Sequence, residues 1–565
     1  MSLFSSIQLA GSTLRAQQIG LQVTGQNIAN ANTPGYIREE VVFTPGPTQR
    51  LGNLLLGLGS RVQAIIQKSD KFLDERLRAA NSEQAGTNVE KETYLQLEAF
   101  YGELGSTDLS TSLNNFFNTI SEVLNQPESD AARNLVALKG KTLTGDINRL
   151  ARRVGDLRSD LNDRVAQNVD DVNRLLASIR TLNIQISNSE GGDVSASDAV
   201  GLRDQRNQAL TELSKLIDVQ VEEQESGAVS VFAGGEFLVI DGLARSLTTK
   251  ASSEDGLGVF DVRIAETDSP LNISSGELYG LIHSRDEVLA NFLETLDNFS
   301  GALAFEFNKV FSSGQGLTGY STLTSHESVD SVTAALDATG LDFTPVNGSF
   351  ALQVHNKRTG LTQTTEIRVD LNGLESDTSL ADLAAQIDAI NGVSATLTPE
   401  RKLVIASDST DQEFTFGQDT SGALAALGIN TFFVGNDASS LGINSIISAD
   451  PSKFAASLGG LGEDTKNAVA LAGFLDRPLE SQAGTTLSDL YDRMTADLTQ
   501  NSTIAQSAAE GALVFKENLQ GQSLAISGVN LDEEAINMLR YQRVYQASAK
   551  FIQTLDELLQ LLVTL

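Results

Sequence analysis

The sequence predicts an α+β multidomain protein with three parts. The terminal helices pair as a coiled-coil core domain, a long helical bundle domain follows, and a β-rich α+β module is inserted into it. Three observations carry this. The first 34 residues hold a single charged side chain, Arg15, in a chain of 565 residues whose formal net charge is −33. Apolar and small residues recur at alternating steps of three and four at both ends, the spacing of a helix seam that docks on another helix. Between about residues 323 and 433 the texture changes to short alternating runs broken by turn residues.

At the N-terminus the seam runs through Leu3, Ile7, Ala10, Leu14, Gln17, Leu21, Thr24 and Ile28. At the C-terminus it runs through Met538, Tyr541, Tyr545, Ser548, Ile552, Leu555, Leu559 and Leu562. The first helix ends near Asn30, because Asn tolerates the left-handed conformation that closes helices and Thr33 precedes a proline. Pro34-Gly35 suits the centre of a type II turn. Ile37 to Thr44 reads as extended, Pro45 to Gly59 as a connector, and Val62, Ala64 and Ile66 as a short strand. A helical pattern fills residues 70–217, with breaks near Gly105, Pro127 and Gly191-Gly192. Its best stretch, from Leu143 to Ile179, would span roughly 60 Å. Gly234-Gly235 marks a hairpin, and further long helices cover 278–303, 486–519 and the C-terminal segment. In the module, Ser349 to Val354 and Glu366 to Leu371 read as strands. Leu380 to Ile390 reads as a helix opening on cap-type residues at 377–379. Three shorter alternating runs follow, up to Phe416.

These signals place the domains at 1–45 with 525–565, at 46–320 with 437–524, and at 321–436. The second includes a β segment at about 219–270, whose membership the sequence leaves open.

The chemistry of most enzymes is missing. There is no cysteine, so no thiolate nucleophile or ligand. The three histidines are scattered, and His326-Glu327 lacks the second histidine of a zinc-protease helix because Asp330 stands there. Gly57-Leu58-Gly59 lacks the third glycine of a dinucleotide fingerprint, and Lys466 does not follow Gly459-Gly460-Leu461-Gly462 at P-loop spacing. Asp532-Glu533-Glu534 reads as a cap set opposing a helix dipole rather than a metal cluster. No catalytic residue, metal ligand or cofactor is expected. With 73 acidic against 40 basic residues, nucleic acid is disfavoured as a partner. No run is long enough to insert in a membrane, and the N-terminus lacks the layout of a secretory signal.

Asn27-Ile28-Ala29-Asn30-Ala31-Asn32-Thr33-Pro34-Gly35-Tyr36 resembles the N-terminal signature of the bacterial flagellar rod, hook and hook-associated axial proteins. Ser527 to Glu534, then Leu539-Arg540-Tyr541-Gln542 and Tyr545 to Ala549, resemble their C-terminal signature. The long helical stretch after the N-terminal motif is similar to that of hook–filament junction members. So are the wording at 529–534 and Thr431-Phe432-Phe433 followed by Asn436-Asp437-Ala438. Lys68 stands where the family usually has arginine.

The resemblance implies a structural, non-enzymatic subunit that polymerises at the distal end of the hook and is needed for filament assembly and motility. It implies export by the flagellar type III system to the extracellular flagellum. It implies self-association in a short ring, with hook protein on one side and the second junction protein, hook-associated protein 3, on the other. A flagellar export chaperone would bind the C-terminal segment beforehand. Alternatives are a hook or distal rod protein, or an adhesin-like role for the module. The assembly motif would be Asn27, Asn30, Asn32, Thr33, Pro34, Gly35 and Tyr36. A two-helix seam with Gln17, Thr24 and Ser548 in it buries little apolar surface, so both ends are expected to be weakly ordered until neighbours surround them.

Overall fold

The structure, a computed structural model, describes residues 3–51, 54–102, 109–190, 197–254, 257–374 and 376–563. The expected breaks at Gly105 and Gly191-Gly192 lie outside these residues. The chain divides into two compact units, residues 1–93, 159–285 and 503–565 in one and 94–158 with 286–502 in the other. These cuts do not coincide with the three-part division drawn from sequence texture, because long helices run on through them.

In chain order the first unit opens with α1 (Leu3–Ala29), β1 (Glu39–Pro45), β2 (Thr48–Leu51), β3 (Leu54–Gly57) and β4 (Ser60–Gln67). β1 and β4 pair antiparallel, Glu39 opposite Gln67. The expected connector is in fact the β2–β3 hairpin, Thr48 opposite Gly57. Its Gly, Pro and Leu content hides the alternation by which a strand is recognised. Next come α2 (Lys71–Gly102), α3 (Leu109–Asn125), α4 (Asp130–Glu190) and α5 (Val200–Leu216). α4 is 61 residues long, longer than its best periodic stretch, because buried positions continue from Val136 to Ile186.

A four-stranded antiparallel sheet of β5 (Gln220–Glu223), β6 (Val229–Ala233), β7 (Glu236–Ile240) and β8 (Leu243–Ala244) follows. The β6–β7 turn carries Gly234 and Gly235 at φ of +58° and +81°, where a side chain would be strained. β9 (Leu247–Glu254), β10 (Leu257–Ile264) and β11 (Ser269–Pro270) make a second sheet.

Both sheets belong to the first unit, and α4 holds them through three asparagines. Asn183 accepts from the Val229 N–H (3.1 Å) and donates to its carbonyl (2.7 Å). Asn173 does the same for Leu247, and Asn162 accepts from the Phe260 N–H at 2.8 Å. Steps of eleven and ten residues bring all three to one side of the helix.

The second unit includes α7, the last part of a helix broken by one π turn: α6 (Glu277–His283), the π segment Ser284–Val288, and α7 (Leu289–Ser312). The module begins at β12 (Thr322–Thr324) and continues through β13 (Gly348–Asn356), β14 (Leu361–Val369), α8 (Leu380–Asp388), β15 (Val393–Leu397), β16 (Leu403–Ser407) and β17 (Gln412–Gly417). Its two sheets run β14-β13-β17 and β12-β16-β15. They share a buried core that includes Phe350, Leu352, Leu383, Ile405, Phe414 and Phe416. β14 starts five residues before its expected position. It is an edge strand rich in exposed threonine, so its first half carries no apolar alternation. α8 opens on a capping box: the Asp382 N–H donates to the Ser379 hydroxyl, and the Ser379 N–H donates to the Asp382 carboxylate.

The chain leaves the module through α9 (Ala423–Ala426), β18 (Phe433–Val434), β19 (Gly442–Ile443), α10 (Ser445–Ala449) and α11 (Lys466–Ala472). Thr431-Phe432-Phe433 is a packing motif. Asn308 on α7 accepts from the N–H groups of both phenylalanines at 3.0 Å and donates to the Phe433 carbonyl at 2.9 Å. Their rings join Phe116, Phe307, Phe311 and Phe454 in one buried cluster. α12 (Leu487–Ser527) and α13 (Leu531–Val563) complete the chain.

Phe307 touches the rings of Phe116, Phe117, Phe311, Phe432, Phe433 and Phe474. Replacing it with alanine is expected to destabilise the second unit by about 3–5 kcal/mol, measured by chemical denaturation of the full chain.

Candidate assembly site at the paired chain ends

α1 and α13 pack on each other over their length and run antiparallel, with Asn27 opposite Glu534 and Gly20 opposite Tyr541. On α13 the least exposed positions are Glu534, Met538, Tyr541, Tyr545, Ser548, Ile552, Leu555 and Leu559. They step by three and four in the order the sequence suggested. On α1 the expected positions Ala10, Gln17 and Thr24 are buried, but the rest of the buried line lies one residue over. The whole line passes through Ser6, Ala10, Gln17, Gly20, Thr24 and Asn27, while Ile7, Leu14, Leu21 and Ile28 are half-buried beside it. The shift has a cause: α1 packs on β1 and β4 as well as on α13, and Ala16 and Val23 are buried too. Small residues then face the partner helix. A methyl at Gly20 would sit 3.2 Å from the Tyr541 ring, which also lies 5.9 Å from that of Phe43. The side chains of Leu3 and Leu562 lie outside the described residues.

At the closed end of the pair, polar groups replace apolar ones. Asn27 is buried with every hydrogen-bonding position filled. Its Oδ1 accepts from the Tyr36 hydroxyl (2.8 Å) and the Glu39 N–H (3.0 Å). Its Nδ2 donates to the Glu39 carbonyl (2.9 Å) and to Glu534 (3.3 Å). Arg38 bridges Glu533 at 2.8 Å and Glu534 at 2.6 Å, and its N–H donates to the Ser527 carbonyl at 2.9 Å. The start of β1 is therefore stitched to both sides of the α12–α13 turn. Asn530 caps α13 by accepting from the Asp532 and Glu533 N–H groups.

The turn between α1 and β1 follows from its residues. Asn30 donates to the Gln26 carbonyl and accepts from the Thr33 hydroxyl. The Tyr36 N–H closes on the Thr33 carbonyl at 3.2 Å around Pro34-Gly35. Gly35 has φ of +79°, as the third position of a type II turn requires. Asn32, Thr33, Pro34 and Gly35 are exposed, whereas Asn27 and Tyr36 point into the network.

Sequence reading missed Arg38, Glu39, Asp204 and the pairing role of Glu534. The one available signal was Arg38 directly after a charge-poor motif, with three consecutive acids at 532–534 to receive it.

Burial, then the carboxylates of Glu39, Asp204 and Glu534, push the Tyr36 phenol well up. Burial, then Asp204, raises Glu39. For Arg38, burial opposes the charge, but hydrogen bonds and attraction from Glu533 and Glu534 outweigh it and raise the pKa. Burial lifts the Asp204 carboxyl to about 6, against donors from the Ile37 N–H and the Gln67 amide.

Among the described residues no group of three or more His, Cys, Asp or Glu is arranged to hold a metal ion. No described helix is long and apolar enough to cross a membrane. What the ends offer is surface. Ile536, Leu539, Phe551, Leu558 and Leu561 of α13 are exposed, Ile536 by 67%. Both ends are continuous helices, so they lack cover rather than secondary structure.

Residues 7–36 match a family described as "Flagella basal body rod protein", and residues 520–565 match "Flagellar basal body rod FlgEFG protein C-terminal". The paired ends thus define an axial protein of the bacterial flagellum. Residues 94–323 match "Flagellar hook-associated protein FlgK helical domain". The flagellar hook-associated protein 1 of Salmonella typhimurium is 26% identical over 581 aligned residues, covering 99% of this chain and 100% of that one. Those of Escherichia coli (25%, 99% and 100%) and Bacillus subtilis (24%, 99% and 97%) align similarly. A solved structure of the flagellar hook junction protein FlgK from Burkholderia pseudomallei overlaps 80% of this chain and all of its own. It does so at 15% identity with a TM-score of 0.49. The chain is similar over nearly its whole length to flagellar hook-associated protein 1 and is a structural protein of the flagellar hook–filament junction, exported to the cell exterior.

Asn27→Ala is expected to strand the Tyr36 hydroxyl and the Glu39 N–H and to destabilise the end network by about 2–3 kcal/mol. Amide exchange at residues 36–39 would read this directly. For Asp204 the folded carboxyl lies above its ordinary 3.8, so its contribution is fully present below about pH 4 and is lost as pH rises through about 6. Asp204→Asn should therefore flatten the fall in stability across that window and raise the melting temperature at neutral pH. Thermal melts of both proteins over a pH series check this.

Proposed function

We propose that this chain polymerises through its paired ends into a short ring on the distal face of the hook. Hook protein lies beneath it and hook-associated protein 3 on its filament side. Residues 1–45 with 525–565 form the inner polymerising part, 46–320 with 437–524 the surrounding shell, and 321–436 the outward module. Before export, a flagellar chaperone covers the C-terminal segment.

The observation that carries this reading is the mismatch between what α1 covers and what α13 displays. One line of α13 is buried against α1, while large apolar side chains remain exposed along other faces of the same helix. Large apolar side chains left exposed together on one helix are unfavourable in water and mark a place where other chains pack. The few charges on α1 allow identical helices to crowd together without repulsion, and the acidic remainder stays solvated. Ile7, Leu14, Leu21 and Ile28, half-buried beside the contact line, supply the α1 side of the same surface. Asn30, Asn32, Thr33, Pro34, Gly35 and Tyr36 turn the chain from the polymerising part into the shell.

A chain lacking residues 1–36 and 530–565 is expected to stay folded and monomeric but fail to restore filament attachment in cells that shed flagellin into the medium. The double variant Leu539→Ser/Leu558→Ser should reproduce that failure with the α1–α13 pair intact. Attached filaments with either protein would overturn the proposal.

A further inference from the structure

The sequence contains three Asn–Gly pairs, 347–348, 372–373 and 391–392, all inside the module. In such a pair the following backbone nitrogen can attack the asparagine side-chain carbonyl if the glycine is free to bring it there. The three differ sharply in that freedom. Gly348 opens β13 opposite Val369, and a Cβ there would meet the Ser421 nitrogen at 2.9 Å. Gly392 is enclosed by Gln412 and Val354, at 2.7 and 3.0 Å from such an atom. Gly373 has open space around it, with φ of +69°, and both it and Asn372 are exposed.

Two hydrogen bonds at Asn372–Gly373 favour an acyl transfer. The Leu374 N–H donates to Asn372 Oδ1 at 2.8 Å, polarising the carbonyl and stabilising charge that develops on its oxygen. The Gly373 N–H, the nucleophile, donates to Asp377 Oδ1 at 3.0 Å, within reach for proton transfer. The ends of the loop are clamped. The Thr378 N–H donates to the Asp370 carbonyl at 2.7 Å, and the Asp370 N–H donates to the Thr378 hydroxyl at 2.9 Å.

We propose that Asn372–Gly373 is a self-modification site, in which Asp377 accepts the Gly373 amide proton and the Asn372 side-chain amide is lost. The Gly373 nitrogen bonds to Asn372 Cγ. The Cγ–Nδ2 bond breaks, and Nδ2 leaves with that proton as ammonia. The resulting succinimide is opened by water at either carbonyl, giving aspartate or isoaspartate. One water enters, one ammonia leaves, and nothing is oxidised or reduced. Each event adds one negative charge to the module without a partner enzyme.

The test is peptide mapping by mass spectrometry of the full chain, aged in buffers from mildly acidic to mildly alkaline, with the final step run in ¹⁸O-water. Asn372 should convert about tenfold or more faster than Asn347 and Asn391, a modest part of what a positioned proton acceptor contributes. Its rate should depend less steeply on pH than theirs. Asp377→Asn should bring Asn372 down towards the other two, and Asp377→Glu should restore much of the difference. The rates at Asn347 and Asn391 in each variant report whether the module stays folded. Equal rates at all three sites, or an Asp377→Asn protein that converts Asn372 as fast as the parent, would overturn the proposal.

Discussion

The pairing of the two chain ends depends on one buried polar contact between them. Asn27 and Glu534 are separated by 507 positions in sequence, and closing so long a loop is entropically unfavourable. Apolar burial along a line of alanine, glycine, serine and threonine offsets only part of that. The network adds direction. An asparagine with all four hydrogen-bonding positions filled admits one register, since a slip of the pair by one residue would strand Asn27, Tyr36 and Glu534 together in a poorly solvated place. Arg38 matters for a related reason. A carboxylate as buried as Glu534 is tolerable only beside a cation, and Arg38 is held within reach by the turn that Pro34-Gly35 makes.

This separates two properties that are easily merged. Helicity of the ends is a local matter, and both helices are continuous. The compactness of their pairing leaves a display face on α13, and such a face suits a subunit that must be soluble in one setting and embedded in another. The acidic balance of the chain serves the first setting, and the scarcity of charge on α1 serves the second. The same reasoning accounts for where the bulk of the packing energy lies. The phenylalanine cluster and the module core are closed and dry, so the folded state does not rest on the ends.

Much of this was legible in the sequence wherever a single periodicity governs a segment. The α13 line, the stop after α1, the Gly234-Gly235 hairpin and the capped helix at 380 all follow from local rules. The α1 line was harder because that helix serves two partners, and a helix packed on two sides no longer advertises one stripe. β14 was read short because an edge strand can be polar on both faces. The β2–β3 hairpin was missed for want of alternation. The network itself was half visible. Asn27 and Tyr36 stood inside a recognisable motif, but Asp204 and Glu534 are joined to it only by the fold, and no spacing rule connects residues so far apart. In the sequence, Thr431-Phe432-Phe433 is visible only as a resemblance. Its meaning, a plug for a ring cluster gripped by Asn308, required the structure.

The three asparagines of α4 act as rungs on a ruler. Because each grips the strands by their backbone rather than by their side chains, the strands they hold can vary freely in composition while the distance between rungs cannot. Removing one residue between Asn162 and Asn173 would rotate everything beyond it by about 100° and swing one anchor off its sheet. Both the phase and the spacing of this stretch are therefore fixed, whereas the hairpins hung on the rungs remain open to drift.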